Sequence, residues 1–198
     1  MARFLIVLGS LVLFSRVYAI EHYGVYVNVA GGWARQLGLP AENHADLTYG
    51  SLLNAYRVAI GYNHTFYRWP NVGFGFEVGG GDYGGARYSS LDGDTRVKSQ
   101  NMEFLMVFSW FDDPWVSQLR AGGVRQTVDI KGRYSENTDT PMALQLGLAV
   151  GRWMTPHWRA GLQVNYVFGK NVGQLRDLGG HSNNPSLLQS LASVSYLF

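Results

Sequence analysis

Apolar side chains alternate with small or polar ones along this chain at a period of two, and the pattern recurs in eight separate segments. Successive side chains of a β-strand point to opposite faces, so this alternation predicts strands with one apolar and one polar face. In the first segment Tyr23, Val25, Val27 and Val29 oppose Gly24, Tyr26, Asn28 and Ala30. In the second, Tyr56, Val58, Ile60 and Tyr62 oppose Arg57, Ala59 and Gly61. The third sets Val72, Phe74, Phe76 and Val78 against Gly73, Gly75, Glu77 and Gly79. The fourth sets Met102, Phe104, Met106, Phe108 and Trp110 against Glu103, Leu105, Val107 and Ser109. The fifth is weaker, with Leu119, Ala121 and Gly123 against Gln118, Arg120 and Gly122. In the sixth, Leu144, Leu146, Leu148 and Val150 oppose Gln145, Gly147 and Ala149. In the seventh, Trp158, Ala160, Leu162, Val164, Tyr166 and Phe168 oppose Arg159, Gly161, Gln163 and Asn165. The last sets Leu188, Ala192, Val194, Tyr196 and Phe198 against Gln189, Ser193 and Ser195, with Leu191 and Leu197 out of phase.

The connections alternate between short and long. The short ones are Asn63 to Asn71, Asp112 to Pro114 and Met154 to His157, and each holds one proline: Pro70, Pro114 and Pro156. Proline cannot donate to a ladder, so it suits a turn. Tryptophans flank the same places: Trp69, Trp110, Trp115, Trp153 and Trp158. The long connections, Arg35 to Ser51, Gly80 to Asp94, Lys131 to Pro141 and Gly169 to Pro185, are rich in Gly, Asn, Asp and Ser. The expected chain is therefore an antiparallel up-and-down sheet with tight turns at one end and long loops at the other.

Residues 1–19 read as a cleaved signal peptide. Arg3 supplies a positive start, Phe4 to Phe14 is an apolar run, and Val17-Tyr18-Ala19 suits a signal peptidase. That run is too short to span a bilayer, and no later one approaches the ~20 residues a membrane helix needs. Residues 20–198 then form one domain. Of the 16 basic residues, Arg3 and Arg16 leave with the leader, so 14 remain against 14 acidic ones. The basic balance belongs to the leader and gives no case for nucleic acid. Cysteine is absent, which leaves no disulfide, thiolate metal site or lipid-bearing cysteine.

Which way the apolar faces point is decided by composition. Charged residues make up 15% of the chain against the usual ~25%, while aromatics reach 14%. A soluble lipocalin-like barrel would turn its apolar face inward. Five tryptophans gathered at one rim instead suit an aromatic belt at a membrane interface, with lipid outside and a polar lumen. Phe74, Phe76, Met106, Phe108, Leu146, Leu148, Leu162 and Val164 are then expected to face lipid. Arg57, Glu77, Glu103, Arg120 and Arg159 are expected in the lumen. Hairpin pairing centred near Tyr67 and Asp113 sets Arg57 opposite Glu77 and Leu105 opposite Arg120, with Glu103 diagonal to Arg120.

Three stretches carry a family resemblance. Val72 to Gly80 is a glycine–aromatic strand with a lumenal acid, Tyr56 to Tyr62 reads as the strand before it, and Val194-Ser-Tyr-Leu-Phe198 ends on phenylalanine. The chain resembles the small eight-stranded outer-membrane barrels: the transmembrane domain of outer membrane protein A, outer membrane protein X and the opacity proteins. The resemblance implies a closed antiparallel transmembrane β-barrel in the outer membrane of a Gram-negative cell. It implies that Val194, Tyr196 and Phe198 are an assembly signal read by the barrel assembly machinery. Outer-membrane lipid and lipopolysaccharide are the other implied partners, with a host or surface ligand reached through the loops. A peptidoglycan-binding domain after the eighth strand is not expected.

The residues offer little chemistry. Some barrels of this kind are lipid A deacylases with His and Ser two apart on a strand, whereas His181 and Ser182 are adjacent and would point to opposite faces. His22, His44, His64 and His157 show no metal-ligand spacing, and Asp92-Gly-Asp94 is only a fragment of a calcium loop. No catalytic residue, metal or cofactor is expected. The reading is a structural or surface-interaction protein, adhesin-like and not an enzyme. The alternatives are a narrow porin-like channel gated by the lumenal charges and a lipid A-modifying enzyme.

Overall fold

The computed structural model describes residues 24–37, 53–90, 93–131, 136–140, 142–169 and 186–198. The leader 1–19, His22, His44, Asp92 and the His181–Ser182 pair lie outside them. The strands are β1 (Gly24–Leu37), β2 (Leu53–Phe66), β3 (Trp69–Ser90), β4 (Gly93–Asp112), β5 (Trp115–Lys131), β6 (Glu136–Asp139), β7 (Met142–Trp153), β8 (Trp158–Phe168) and β9 (Ser186–Leu197). Neighbours in sequence pair antiparallel, β5 pairs with β7, and β1 pairs with β9 to close the sheet. The short β6 pairs with the far end of β5, beyond the part of β5 that β7 covers. The result is an eight-stranded closed barrel, with β6 as an outlying addition. Closure leaves no open edge in the wall, a condition that hydrocarbon imposes on any spanning sheet.

The wall is apolar outside and polar inside. On β2 every odd-numbered residue from Leu53 to Asn63 is buried and every even one is exposed. All eight residues expected to face lipid point outward, from Leu146 at 40% exposed to Leu148 and Leu162 at 64%. Arg57, Glu77, Glu103, Arg120 and Arg159 are all buried within. A lipocalin-like facing is thereby excluded, because so continuous an apolar exterior requires lipid around it.

Following the register once around the barrel measures its tilt. Tyr26 pairs with Gly61, then the line runs through Glu77, Leu105, Gly122, Gln145, Val167 and Leu187. It returns to β1 at Gln36, ten residues above its start. Such a stagger goes with strands tilted by ~35–45° to the axis. A level drawn perpendicular to the axis therefore slips by a little more than one residue per strand towards the turn end.

Several expectations about connections are corrected. Pro70 lies within β3, not in the turn, because the turn is only Tyr67-Arg68. Between the pairs Phe66–Trp69 and Thr65–Gly73, three β3 residues have no partner on β2. Proline is tolerated at such a bulge, where no ladder bond is required. The bulge moves Arg57 opposite Gly81 rather than Glu77. Likewise Leu105 pairs with Gly122, and Arg120 with Val107. The stretch Gly80 to Asp94 is not a long loop: β3 and β4 continue as a paired hairpin to Ser90 and Gly93. Lys131 similarly ends a strand that pairs with β6. Glycine-rich polar sequence reads as loop, yet an antiparallel pair beyond the membrane is held by main-chain bonds and needs no apolar face. A bulge between Asp82 and Gly85 makes the bend, with Gly84 in the left-handed region (φ 73°). Its N–H donates to Asp82 Oδ1 at 2.9 Å.

The aromatic belt is also corrected at one position. Trp69, Trp110, Trp115 and Trp158 are 46–65% exposed at the turn end, but Trp153 is 8% exposed and points into the lumen. Its odd number puts it in phase with Gln145 and Gly147, which also face inward.

Candidate functional site

The lumen is filled in three layers. At the loop end Ala30, Ala34, Ala55, Tyr83, Val124, Val167, Leu187 and Leu191 form an apolar cluster. At the turn end Tyr26, Trp153 and Leu197 form a second one. Leu187, Leu191 and Leu197 are the residues β9 gives to these caps, and the last two are those out of phase with the apolar exterior. Four of the buried charges and most of the buried amides occupy the belt between, while Arg159 lies with the turn-end cluster and Gln126 with the loop-end one.

The belt is built from pairs two strands apart, and the tilt explains them. From Arg57 the register leads through Gly81 to Asn101 on β4, and slipping two residues towards the turns reaches Glu103. Arg57 Nε donates to Glu103 Oε1. The same skip takes Glu103 to Gln145, whose Nε2 donates to Glu103 Oε2 at 2.8 Å. One tier lower, it takes Glu77 to Arg120, at 3.2 Å, and Arg120 to Gln163. Arg57 Nη2 joins the tiers through Glu77 Oε2 at 2.6 Å. Arg57 Nη1 also donates to Asn28 Oδ1 at 3.1 Å, and the Tyr26 hydroxyl donates to Glu77 Oε1 at 2.8 Å. Arg57 and Glu77 thus meet although they are not opposite in register, since the long guanidinium side chain reaches down the wall. Glu103 does not pair with Arg120; its cation among the described residues is Arg57.

Glycines on the inner wall make room for this belt. A Cβ on Gly61 would lie 2.5 Å from Tyr26 Cζ and 2.9 Å from Glu77 Cγ. One on Gly79 would lie 3.0 Å from Glu103 Oε1. This is why the third segment carries aromatics outside and glycines inside.

Arg159 stands apart from the other four charges. Its Nη2 donates to Ser195 Oγ at 3.0 Å, and its guanidinium carbon lies 5.7 Å from the Tyr26 ring centroid and 5.6 Å from that of Trp153. It lines a small pocket at the turn end. Beside that pocket the chain ends on the wall: the Phe198 N–H donates to Val25 O at 3.0 Å. Tyr196 packs against Trp158, ring centroids 4.9 Å apart, and against Phe198 at 5.0 Å, while Val194 faces outward. Among the described residues no three His, Asp or Glu side chains gather as a metal site.

No protein-family model matches the chain, and no curated protein matches it in sequence. Solved structures do match. Neisserial surface protein A aligns with a TM-score of 0.56 at 16% identity, over 88% of this chain and 97% of that one. The attachment invasion locus protein Ail of Yersinia pestis aligns at 0.53 and 10% identity, over 88% and 99%. The outer membrane protein OprG from Pseudomonas aeruginosa aligns at 0.51 and 14%, over 90% and 99%. At such identities the likeness is one of fold, that of the small eight-stranded outer-membrane barrels.

Proposed function

We propose that this chain resides in the outer membrane of a Gram-negative cell and acts at the surface as an adhesin-like contact protein. One observation carries the reading. Among the described residues β2 pairs with β3 only as far as Asp82, whereas β3 runs on to Ser90 paired with β4 alone. The sheet therefore rises beyond the barrel, and among the described residues this part of β3 has no second partner strand. An extended segment of a partner can add to the edge of such a strand through main-chain hydrogen bonds. The apolar layers at both ends of the lumen favour this reading over conduction. Two of the fold neighbours carry surface roles in their names, which is support by likeness alone. Replacing residues 86–97 by Asn-Gly should abolish binding of expressing cells to host cells or matrix while heat-modifiable gel mobility stays intact. Unchanged binding, together with steady conductance of the wild type in planar bilayers, would favour the channel instead.

Export by the leader and insertion by the barrel assembly machinery belong to the same proposal. Phe198 is 71% exposed at the end of β9 and contributes one main-chain bond to the closing seam. Its loss removes roughly 0.5–1.5 kcal/mol of hydrogen bonding, too little to undo a closed barrel. Deleting Phe198 should lower outer-membrane levels several-fold in cells while the purified protein still refolds in detergent. Normal surface levels of the deleted form would show that Val194, Tyr196 and Phe198 are not an assembly signal.

A further inference from the structure

Five charged side chains are buried in the lumen among the described residues, three cationic and two anionic. Both carboxylates are committed: Glu77 to Arg57 and Arg120, Glu103 to Arg57. Arg159 has no carboxylate within ion-pair distance among the described residues, although it is only 8% exposed. A buried charge without a counter-charge is costly, so something must answer it. The rings of Tyr26 and Trp153 attract a cation but carry no net charge.

The surroundings of Arg159 say what would answer it. The pocket it lines with Tyr26, Asn63, Gln118, Trp153 and Ser195 has a volume of about 10 Å³. That is room for about one water-sized occupant. Ser195 Oγ already accepts two hydrogen bonds, from Arg159 Nη2 at 3.0 Å and from Asn28 Nδ2 at 2.9 Å. With both lone pairs used, its hydroxyl hydrogen is left to donate. The Gln118 carbonyl oxygen accepts from Arg120 Nη2 at 2.9 Å, and the Tyr26 hydroxyl oxygen belongs to a group that donates to Glu77. Beside the Asn63 and Gln118 amides the pocket offers the Arg159 charge and the Ser195 hydroxyl hydrogen, and the net positive charge favours an anion over a cation. Its size is that of a single small occupant and is too small for phosphate.

We propose that Arg159 and Ser195 form a binding site for one halide ion, chloride in the cell, at the turn end of the lumen. The ion brings the lumenal charge to zero. It lies at the turn end, away from the loop-end apolar cluster.

Chloride NMR line widths on the refolded barrel in detergent test this directly. The wild type should show saturable excess broadening that bromide competes away. Arg159→Gln should lose the saturable part, and Arg159→Lys should keep a reduced share, with heat-modifiable mobility confirming that each variant is folded. Wild-type crystals soaked in bromide should show an anomalous peak beside Arg159, which decides the matter even if Arg159→Gln fails to refold. Non-saturable broadening, broadening unchanged in Arg159→Gln, or a bromide-soaked crystal with no peak there would overturn the site.

Discussion

Replacing Arg57 by methionine should cost the barrel about 3–5 kcal/mol of folding stability, the usual penalty for stripping a buried charge of its partner. Arg57 is the cation that touches both carboxylates. Without it Glu77 still has Arg120 at 3.2 Å, but Glu103 keeps only the Gln145 amide among the described residues. Glu103 is 3% exposed, so water cannot replace what is lost. The double change Arg57→Met with Glu103→Gln should therefore recover part of the loss. A coupling of about 0.5–3 kcal/mol is the range for residues in one ion-pair network. Urea unfolding of the refolded protein in lipid vesicles measures all three variants. Simple additivity would show that the pair contributes nothing as a pair. A Glu103→Gln variant as stable as the wild type would show that the lower tier alone holds the lumen.

The facing of the strands was legible in the sequence, and so was the meeting of Arg57 with Glu77; the register and the other contacts across the lumen were not. Period-two alternation reports one thing, which side of the wall a residue occupies, and it does so whatever the register. Leu148 outside and Gly147 inside follow from parity alone. Partners across the lumen depend instead on stagger and bulges. Three unmatched residues near Pro70 account for most of the displacement of Arg57 from Glu77 to Gly81. The tilt then brings Arg57 to Glu103, two strands away, and Glu77 to Arg120. Neither local pattern nor composition encodes that slip. Trp153 was misplaced for a different reason, since proximity to a turn outweighed a parity that was available. The β3–β4 hairpin was missed because its composition is that of a loop, and its order comes from pairing between strands.

A charge on the outer wall should behave as a depth gauge. Leu148 lies midway along β7, is 64% exposed and has Leu146 and Val150 beside it on the same face. Leu148→Arg puts a guanidinium into the middle of the hydrocarbon layer, and the expected loss is roughly 2–4 kcal/mol, falling away as the substituted position nears either interface. Tyr67, wholly exposed in the tight turn between β2 and β3, marks the other extreme. Tyr67→Arg should leave stability unchanged, because its head group is already in water. Reversible unfolding in lipid vesicles of defined thickness gives both values. The cost at position 148 should also fall in a thinner bilayer, where the same residue lies closer to headgroups. Equal costs at the two positions, or a cost at 148 that ignores bilayer thickness, would mean that this wall does not face lipid. The apolar exterior would then need another partner to cover it.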